Sequence, residues 1–109
     1  MTVVTSSSIH GKKIVRTLGL VRGNTIRARH VGKDIMAALR NLVGGEVSEY
    51  TKMLAESREQ AMDRMIAAAR DLGADGIVCV RFTTSAVMQA SAELLAYGTA
   101  VKLRKKPVS

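Results

Sequence analysis

The chain has 109 residues, which is room for one domain over residues 1–109 and not for separate catalytic and regulatory halves. Hydrophobic residues make up 47%, so the chain is expected to fold, but aromatic residues make up only 3%. The core is therefore predicted to consist of Ala, Val, Leu, Ile and Met, and platforms that stack bases or sugars are disfavoured. The net charge of +8 directs attention to acidic partners.

The first part of the sequence predicts extended chain followed by a short helix. Residues 3–5 are typical of a short strand, and residues 13–28 of an extended segment interrupted at Gly19. Gly23-Asn24 is a favourable turn pair, so a turn is predicted there. The stretch "KDIMAALRNLV", residues 33–43, has apolar residues at helical spacing and is followed by two glycines.

A long amphipathic helix is predicted from Glu46 to Leu72, with Gly73 as the residue that ends it. Its charged residues fall on the side opposite the apolar arc, which indicates a solvated face rather than a catalytic carboxylate pair. The arc covers roughly 160°, against the ~100° stripe of a simple surface helix. Its apolar members are Val47, Tyr50, Leu54, Ala55, Ala61, Met62, Met65, Ile66, Ala68, Ala69 and Leu72.

Two strands follow the helix, and each has apolar side chains in both alternation phases. In "GIVCVRF" the pattern places Ile77 and Cys79 on one face and Val78 and Val80 on the other. The stretch "ELLAYGTAVKL", residues 93–103, divides in the same way: Leu95, Tyr97 and Val101 on one face, Leu94, Ala96 and Ala100 on the other. The polar segment 83–92 between them is predicted to be a hairpin connection or a looser loop.

The predicted order is β-α-α-β-β, an α+β fold in which a small, mostly antiparallel sheet carries one long helix in two layers. Such a unit covers only one face of its sheet, yet both final strands look buried on two faces. The helix also has more apolar surface than the sheet requires. Self-association would cover both surfaces, so the sequence predicts a homo-oligomer.

Cys79 is the only cysteine, so no intramolecular disulfide is possible and nothing favours an oxidising compartment. Without a recognisable leader or a membrane-length apolar run, the expected location is cytoplasmic.

Soft metals usually take three or four Cys or His ligands, and here Cys79, His10 and His30 are scattered. The favoured interpretation is a small core residue. The alternative is a metal site to which several subunits each contribute one ligand.

Catalytic and cofactor sites find little support in the sequence. The stretch "VGGEVSEY" places two glycines before a helix, but Glu46 and Glu49 would repel an anion there, so a hinge is the favoured interpretation. No Ser or Cys has a His or acid partner in a recognisable motif. The sequence therefore predicts a protein that is not an enzyme, and it assigns no catalytic, cofactor-binding or metal-binding residue.

The positive charge is unevenly distributed along the chain. Residues 1–33 hold seven basic residues and no acid, and four more lie at the end, where residues 104–109 are predicted to form a basic tail. Arg16 and Arg22 share one alternation phase, and Arg27 and Arg29 share the other. These residues have two interpretations: a solvated surface that protects sheet edges, or a binding surface for nucleic acid or an acidic protein.

Taken together, several motifs resemble those of the YbjQ-like family of small bacterial and archaeal proteins. They run from about residue 11 to residue 104: Gly19-Leu20-Val21-Arg22-Gly23, then Asp34 and "ALRNLVGG", Tyr50, Leu54, Arg58 and Ala61 on the long helix, "LGADGIVCVRF" and "YGTAVKL". The resemblance implies a β-α-β-β subunit similar to the dodecin-like fold, assembled as a homopentamer. The family is labelled as heavy-metal-binding, but without a ligand set, and small aliphatic residues or glycine also fit its pattern at position 79.

Two functions follow as hypotheses. The first is a non-enzymatic homopentameric module that binds a small ligand or a metal ion between subunits. The second is a basic oligomeric platform that binds nucleic acid or an acidic protein partner. The strong positive charge of this chain separates it from many relatives, which favours keeping the second hypothesis beside the first.

Overall fold

The computed structural model of the chain describes residues 1–26, 46–88 and 91–107. Within them the elements follow in the order β1 (Thr2–Val3), β2 (Lys12–Ile26), α1 (Glu46–Asp71), β3 (Gly76–Met88) and β4 (Ser91–Lys105). The helix predicted over residues 33–43 lies outside the described residues, as do His30, Arg27 and Arg29.

The strands form one four-stranded mixed sheet in the order β1-β3-β4-β2. β1 pairs with β3 in parallel, whereas β4 pairs antiparallel with both β3 and β2. In the described part of the chain, α1 packs on this sheet, so the α+β class is confirmed. β4 is central and runs for 15 residues, about 50 Å of extended chain, which makes the β2–β4 pair the longest feature of the sheet.

The long helix is confirmed, with α1 ending at Asp71 and the chain turning at Gly73. Gly73 has φ +78°, a conformation in which the Cβ of an L-residue crowds the following carbonyl oxygen and which glycine adopts freely. Its N–H donates to the carbonyl of Arg70 at 2.9 Å, and Ala74 N–H donates to the carbonyl of Ala69 at 3.0 Å. These bonds satisfy carbonyls that the helix end leaves open, as a C-terminal glycine motif does.

The helix lies off the centre of the sheet, mainly over the edge strand β2 and less over β4 and β3. Gly23 makes this approach possible, because a Cβ there would overlap the backbone of Ala61 and Met65. The predicted turn at Gly23-Asn24 is therefore wrong: β2 continues straight through both residues. Glycine is needed at this position because a helix crosses it, and not because the chain reverses.

Small side chains dominate the contact between helix and sheet. Ala61, Met65 and Ala69 of α1 meet Ala96 and Ala100 of β4 in one buried cluster, together with Val21, Ile77 and Val80. The core is thus aliphatic, as the composition predicts. Leu54 and Leu72, predicted on the buried arc, are 40% and 49% exposed. Leu54 and Leu72 therefore lie outside the buried contact between helix and sheet.

The connection between β3 and β4 is much shorter than predicted. Segment 83–92 was expected to be a hairpin connection or a looser loop, yet β3 continues to Met88 and β4 begins at Ser91. Thr83 pairs with Leu95 and Thr84 with Leu94 across the ladder. Threonine is common in strands although it is polar, so the polarity of this segment did not indicate a loop.

Candidate functional site

Cys79 lies at a β-bulge in β3, in a conformation unusual for any residue other than glycine. Its φ is 57°, the left-handed region. Val78 is opposite Thr99 and Arg81 is opposite Tyr97, so β3 contains one more residue than β4 across this stretch. An extra residue in the left-handed conformation is the geometry of a bulge whose first position normally takes glycine.

The bulge is held by the N-terminal segment of the chain. Cys79 N–H donates to the carbonyl of Ser6 at 2.9 Å, and Val80 N–H donates to the carbonyl of Val4 at 3.1 Å. The Arg81 guanidinium adds a hydrogen bond to the carbonyl of Thr5 at 2.8 Å. The N-terminal segment therefore runs beside β3 beyond the two residues of β1. The N–H groups of the bulge donate hydrogen bonds to the carbonyls of this segment.

The bulge changes which side chains of β3 share a face. Ile77 and Val80 both belong to the core beneath the helix, and Val78 points to the other side of the sheet. The prediction that Ile77 and Cys79 share a face, with Val78 and Val80 opposite, is therefore wrong. Cys79 is only half-buried and lies outside the core cluster, so its interpretation as a core residue is also wrong.

A complete metal-ligand set is not brought together by a single chain within the described residues. No group of three His, Cys, Asp or Glu side chains lies close enough there to hold an ion. His10 is exposed in the turn before β2, and the third candidate, His30, falls outside the described part. Cys79 thus has the accessibility that a ligand needs, without partners from its own described neighbours.

Replacing Cys79 by glycine is expected to keep the fold and raise its stability by about 1 kcal/mol, because a left-handed conformation costs an L-residue roughly that amount. Cys79→Val is expected to lower stability, since a β-branched side chain fits this conformation poorly. Chemical denaturation of the two variants beside the wild type checks the order. A Cys79→Gly variant less stable than Cys79→Val would show that the side chain, and not the backbone, determines this position.

Within the described residues, positive charge is concentrated where β2 begins and β4 ends. The antiparallel register places Lys12 opposite Lys105, Lys13 opposite Arg104, and Arg16 opposite Lys102. Directly opposed like charges destabilise a sheet, whereas opposite charges would stabilise it. With Lys106, seven basic residues and no acid occupy segments 12–16 and 102–106. We call these two segments the basic ribbon.

The basic ribbon extends beyond the rest of the sheet. β3 begins at Gly76, which pairs with Val101, so the residues of β4 after Val101 pair with β2 alone. Alternation places the side chains of Lys13 and Arg104 on the helix side, and those of Lys12 and Lys105 on the other side. Both sides of a two-stranded ribbon therefore carry cations.

Among the residues that the structure describes, Asp75 lies beside the basic ribbon and does little to neutralise it. Asp75 Oδ1 is 3.8 Å from Lys102 Nζ, and both side chains are 44% exposed. Exposed pairs at this distance contribute little because water and salt screen them. The other carboxylate oxygen, Oδ2, accepts a hydrogen bond from Leu103 N–H at 2.9 Å. Asp75 therefore mainly links the residue before β3 to the backbone of β4.

The predicted grouping of arginines changes with the structure. Arg16 and Arg22 were expected to share an alternation phase, but a register shift between Thr17 and Gly19 inserts one residue into β2. Arg16 is opposite Lys102 on the helix side, whereas Arg22 is opposite Tyr97 on the outer side. Gly19, with φ +130°, marks this irregularity, so the predicted interruption at Gly19 is confirmed.

Exposed apolar side chains lie on both sides of the sheet in the part of the chain that the structure describes. On the outer face of the sheet, Leu20 is 68% exposed opposite Thr99 and lies diagonally across from half-buried Tyr97; we call Leu20 and Tyr97 the outer-face patch. On the helix side, Phe82 is 41% exposed because α1 covers mainly β2.

The flank of α1 that faces Phe82 is apolar as well. Arg64, on the opposite flank, donates to the carbonyl of Asn24 on β2. At 100° per residue Met62 and Ile66 lie on the far side of the helix from Arg64, toward β3, and both are only half-buried. Phe82, Met62 and Ile66 form what we call the helix-side patch. None of the helices in the described part is long and apolar enough to cross a membrane.

Comparison with known proteins identifies relatives along the whole chain. Residues 1–104 match the YbjQ family, whose description is "Putative heavy-metal-binding". Proteins named UPF0145 are 59% identical over 104 residues in Halorubrum lacusprofundi and 56% identical over 106 residues in Methanosarcina acetivorans. The matches cover 95% and 97% of this chain and 100% of each relative.

A solved structure supports the fold. A protein of unknown function from Pediococcus pentosaceus, assigned to the DUF74 family, has a TM-score of 0.64 at 18% sequence identity. The match covers 95% of this chain and 98% of the other. At this identity the likeness concerns the fold alone. The family profile and the sequence identities together show that the chain belongs to the YbjQ-like family of UPF0145 proteins.

Proposed function

We propose that the protein is a non-enzymatic homo-oligomeric module that binds a small ligand or a metal ion between its subunits. The observation that carries this proposal is the pair of exposed apolar patches on opposite sides of one thin, two-layer unit. Apolar side chains that are exposed together on one surface indicate a site that another molecule covers. A second copy of the same chain is the occupant that we propose for both.

The different shapes of the two patches favour a ring of subunits over a two-fold symmetric dimer. The outer-face patch is a flat sheet surface around Leu20, whereas the helix-side patch is a shelf between Phe82 and the flank of α1. Two different patches fit a head-to-tail contact, in which one patch of a subunit packs on the other patch of the next. Such contacts form a closed ring when the rotation between neighbouring subunits is a whole fraction of a full turn. The number five comes from the family resemblance.

A metal site shared between subunits is consistent with the small number of potential metal ligands in one subunit. Soft metals require three or four ligands, and the described residues of a single subunit do not gather three. A ring brings identical side chains together around its axis, so one ligand from each subunit would suffice. The family description as heavy-metal-binding supports this arrangement, and the ligand is left unassigned.

Native mass spectrometry on untagged protein, purified without chelator, tests the proposal. We expect an assembly of about five times the 11.7 kDa subunit mass, with added mass that identifies a metal or an organic ligand. A bare monomer would contradict the proposed assembly. An oligomer without added mass, after metals and cell extract have been supplied, would contradict ligand binding while leaving the assembly in place.

A second candidate function is a basic oligomeric platform for nucleic acid or an acidic protein. One observation favours it: the like-charged pairs of the basic ribbon, beside which the described part of the chain places Asp75 in an exposed contact with Lys102. The two candidates differ in their response to salt, because binding of a polyanion weakens steeply with salt concentration and binding of a coordinated metal does not.

A further inference from the structure

We propose that the basic ribbon binds the phosphate backbone of double-stranded DNA. This inference rests on the second candidate function, for which it names the partner and the residues. The seven basic residues lie in two short paired segments, and six of them are opposed in like-charged pairs across the ladder. The repulsion within each pair is relieved when an anion binds between or beside the two cations.

Protection of the sheet edge does not account for this arrangement. Charged residues do prevent strands from pairing at exposed edges, and β2 is an edge strand. Alternating acids and bases would serve that purpose equally well, and they would add attraction across the ladder. The charged residues of the ribbon are all bases, and Asp75 beside it makes an exposed contact with Lys102. The uniform sign indicates an anionic partner.

The shape of the ribbon favours a duplex over other polyanions. The major groove of DNA is about 12 Å wide and admits a two-stranded β-ribbon. Cations on both sides of the ribbon would face phosphates on both walls of the groove. Segments of five residues extend about 17 Å, a length over which a duplex presents about ten charges.

Single strands and acidic peptides fit the ribbon less well. Proteins that hold single strands usually stack bases on aromatic side chains, and neither segment of the ribbon contains an aromatic residue. A single extended acidic peptide would reach the cations on one side only. The duplex is therefore the partner that uses Lys12 and Lys105 together with Lys13 and Arg104.

The test compares two double variants of equal charge in the full-length protein. Lys13→Gln/Arg104→Gln removes one opposed pair of the ribbon, and Arg58→Gln/Arg70→Gln removes two exposed arginines of α1. Fluorescence anisotropy with a labelled 20-base-pair duplex is measured between 50 and 200 mM salt. The wild type should bind with a steep salt dependence. The ribbon variant should bind at least about tenfold more weakly, with a logarithmic salt slope lower by about 2.

The control variant should retain the wild-type salt slope. Equal losses in the two variants would overturn the proposal, because net charge alone would then explain binding. Tighter binding of a single strand of equal length, or of polyglutamate, would also overturn it. Binding of polyglutamate without binding of duplex would leave the platform function standing and remove only this inference. An unchanged native mass for both variants excludes loss of assembly as the cause.

Discussion

Replacing Gly23 by alanine is expected to destabilise the protein by at least about 3 kcal/mol, the upper end of the usual cost of overpacking. The added methyl group would overlap the backbone of Ala61 and Met65. A flexible side chain can rotate away from such a group, but a helix backbone cannot. The central part of α1 would have to rise from β2, and the small residues in the buried cluster would lose their contacts.

Thermal denaturation at fixed protein concentration measures this effect. For a domain of this size, a loss of 3 kcal/mol corresponds to a fall in Tm of roughly 12 °C or more. The matched control is Gly11→Ala. Gly11 has φ +78° but no neighbouring atom within 4 Å of an added Cβ, so only backbone strain opposes the change, about 1–2 kcal/mol. Equal losses in the two variants would mean that the helix does not rest on Gly23.

The parts of the fold that follow from a repeating pattern could be predicted from the sequence. The 3.6-residue period identified α1 to within one residue at its end, because the apolar arc and the glycine at position 73 agree. The two-residue period of β4 was also correct. Ala96 and Ala100 lie in the core beneath the helix, while Val101 is buried on the other side.

The parts that depend on tertiary contacts could not be predicted from local pattern. Gly23-Asn24 has the composition of a turn, and only the helix above it explains the glycine. The bulge at Cys79 is likewise invisible to alternation, since Val78 and Val80 are apolar in either register. A signal was present in the family resemblance, where glycine fits at position 79, because glycine suits a left-handed conformation.

The basic ribbon was missed for a different reason. Its two segments lie some ninety positions apart in the sequence. The sequence alone therefore indicates a basic N-terminal segment and a separate basic C-terminal tail. Only the register of β2 against β4 brings Lys13 to Arg104 and Lys12 to Lys105. Strand register is determined by packing along the whole ladder, including the bulges near Arg16 and Gly19, and those are not readable from composition.

Placing an acid in either apolar patch is expected to prevent assembly. In Leu20→Asp and in Phe82→Asp, a charge would be buried at a subunit contact without a partner, which costs far more than the contact gains. The single subunit should keep its secondary structure, because both side chains are largely exposed within one chain. Native mass spectrometry and circular dichroism measure the two properties. Leu72→Asp, with similar exposure beyond the end of α1, is the matched control and should assemble normally.

Mixing the two monomeric variants distinguishes a head-to-tail ring from a symmetric contact. A Leu20→Asp subunit retains its helix-side patch, and a Phe82→Asp subunit retains its outer-face patch. If these two patches pack on each other, an equimolar mixture has one intact contact and should form a one-to-one pair that cannot grow. If each patch instead packs on its own copy, each variant alone would still dimerise through the untouched patch. Dimers of either variant alone would therefore contradict the ring, and with it a ligand site around a ring axis.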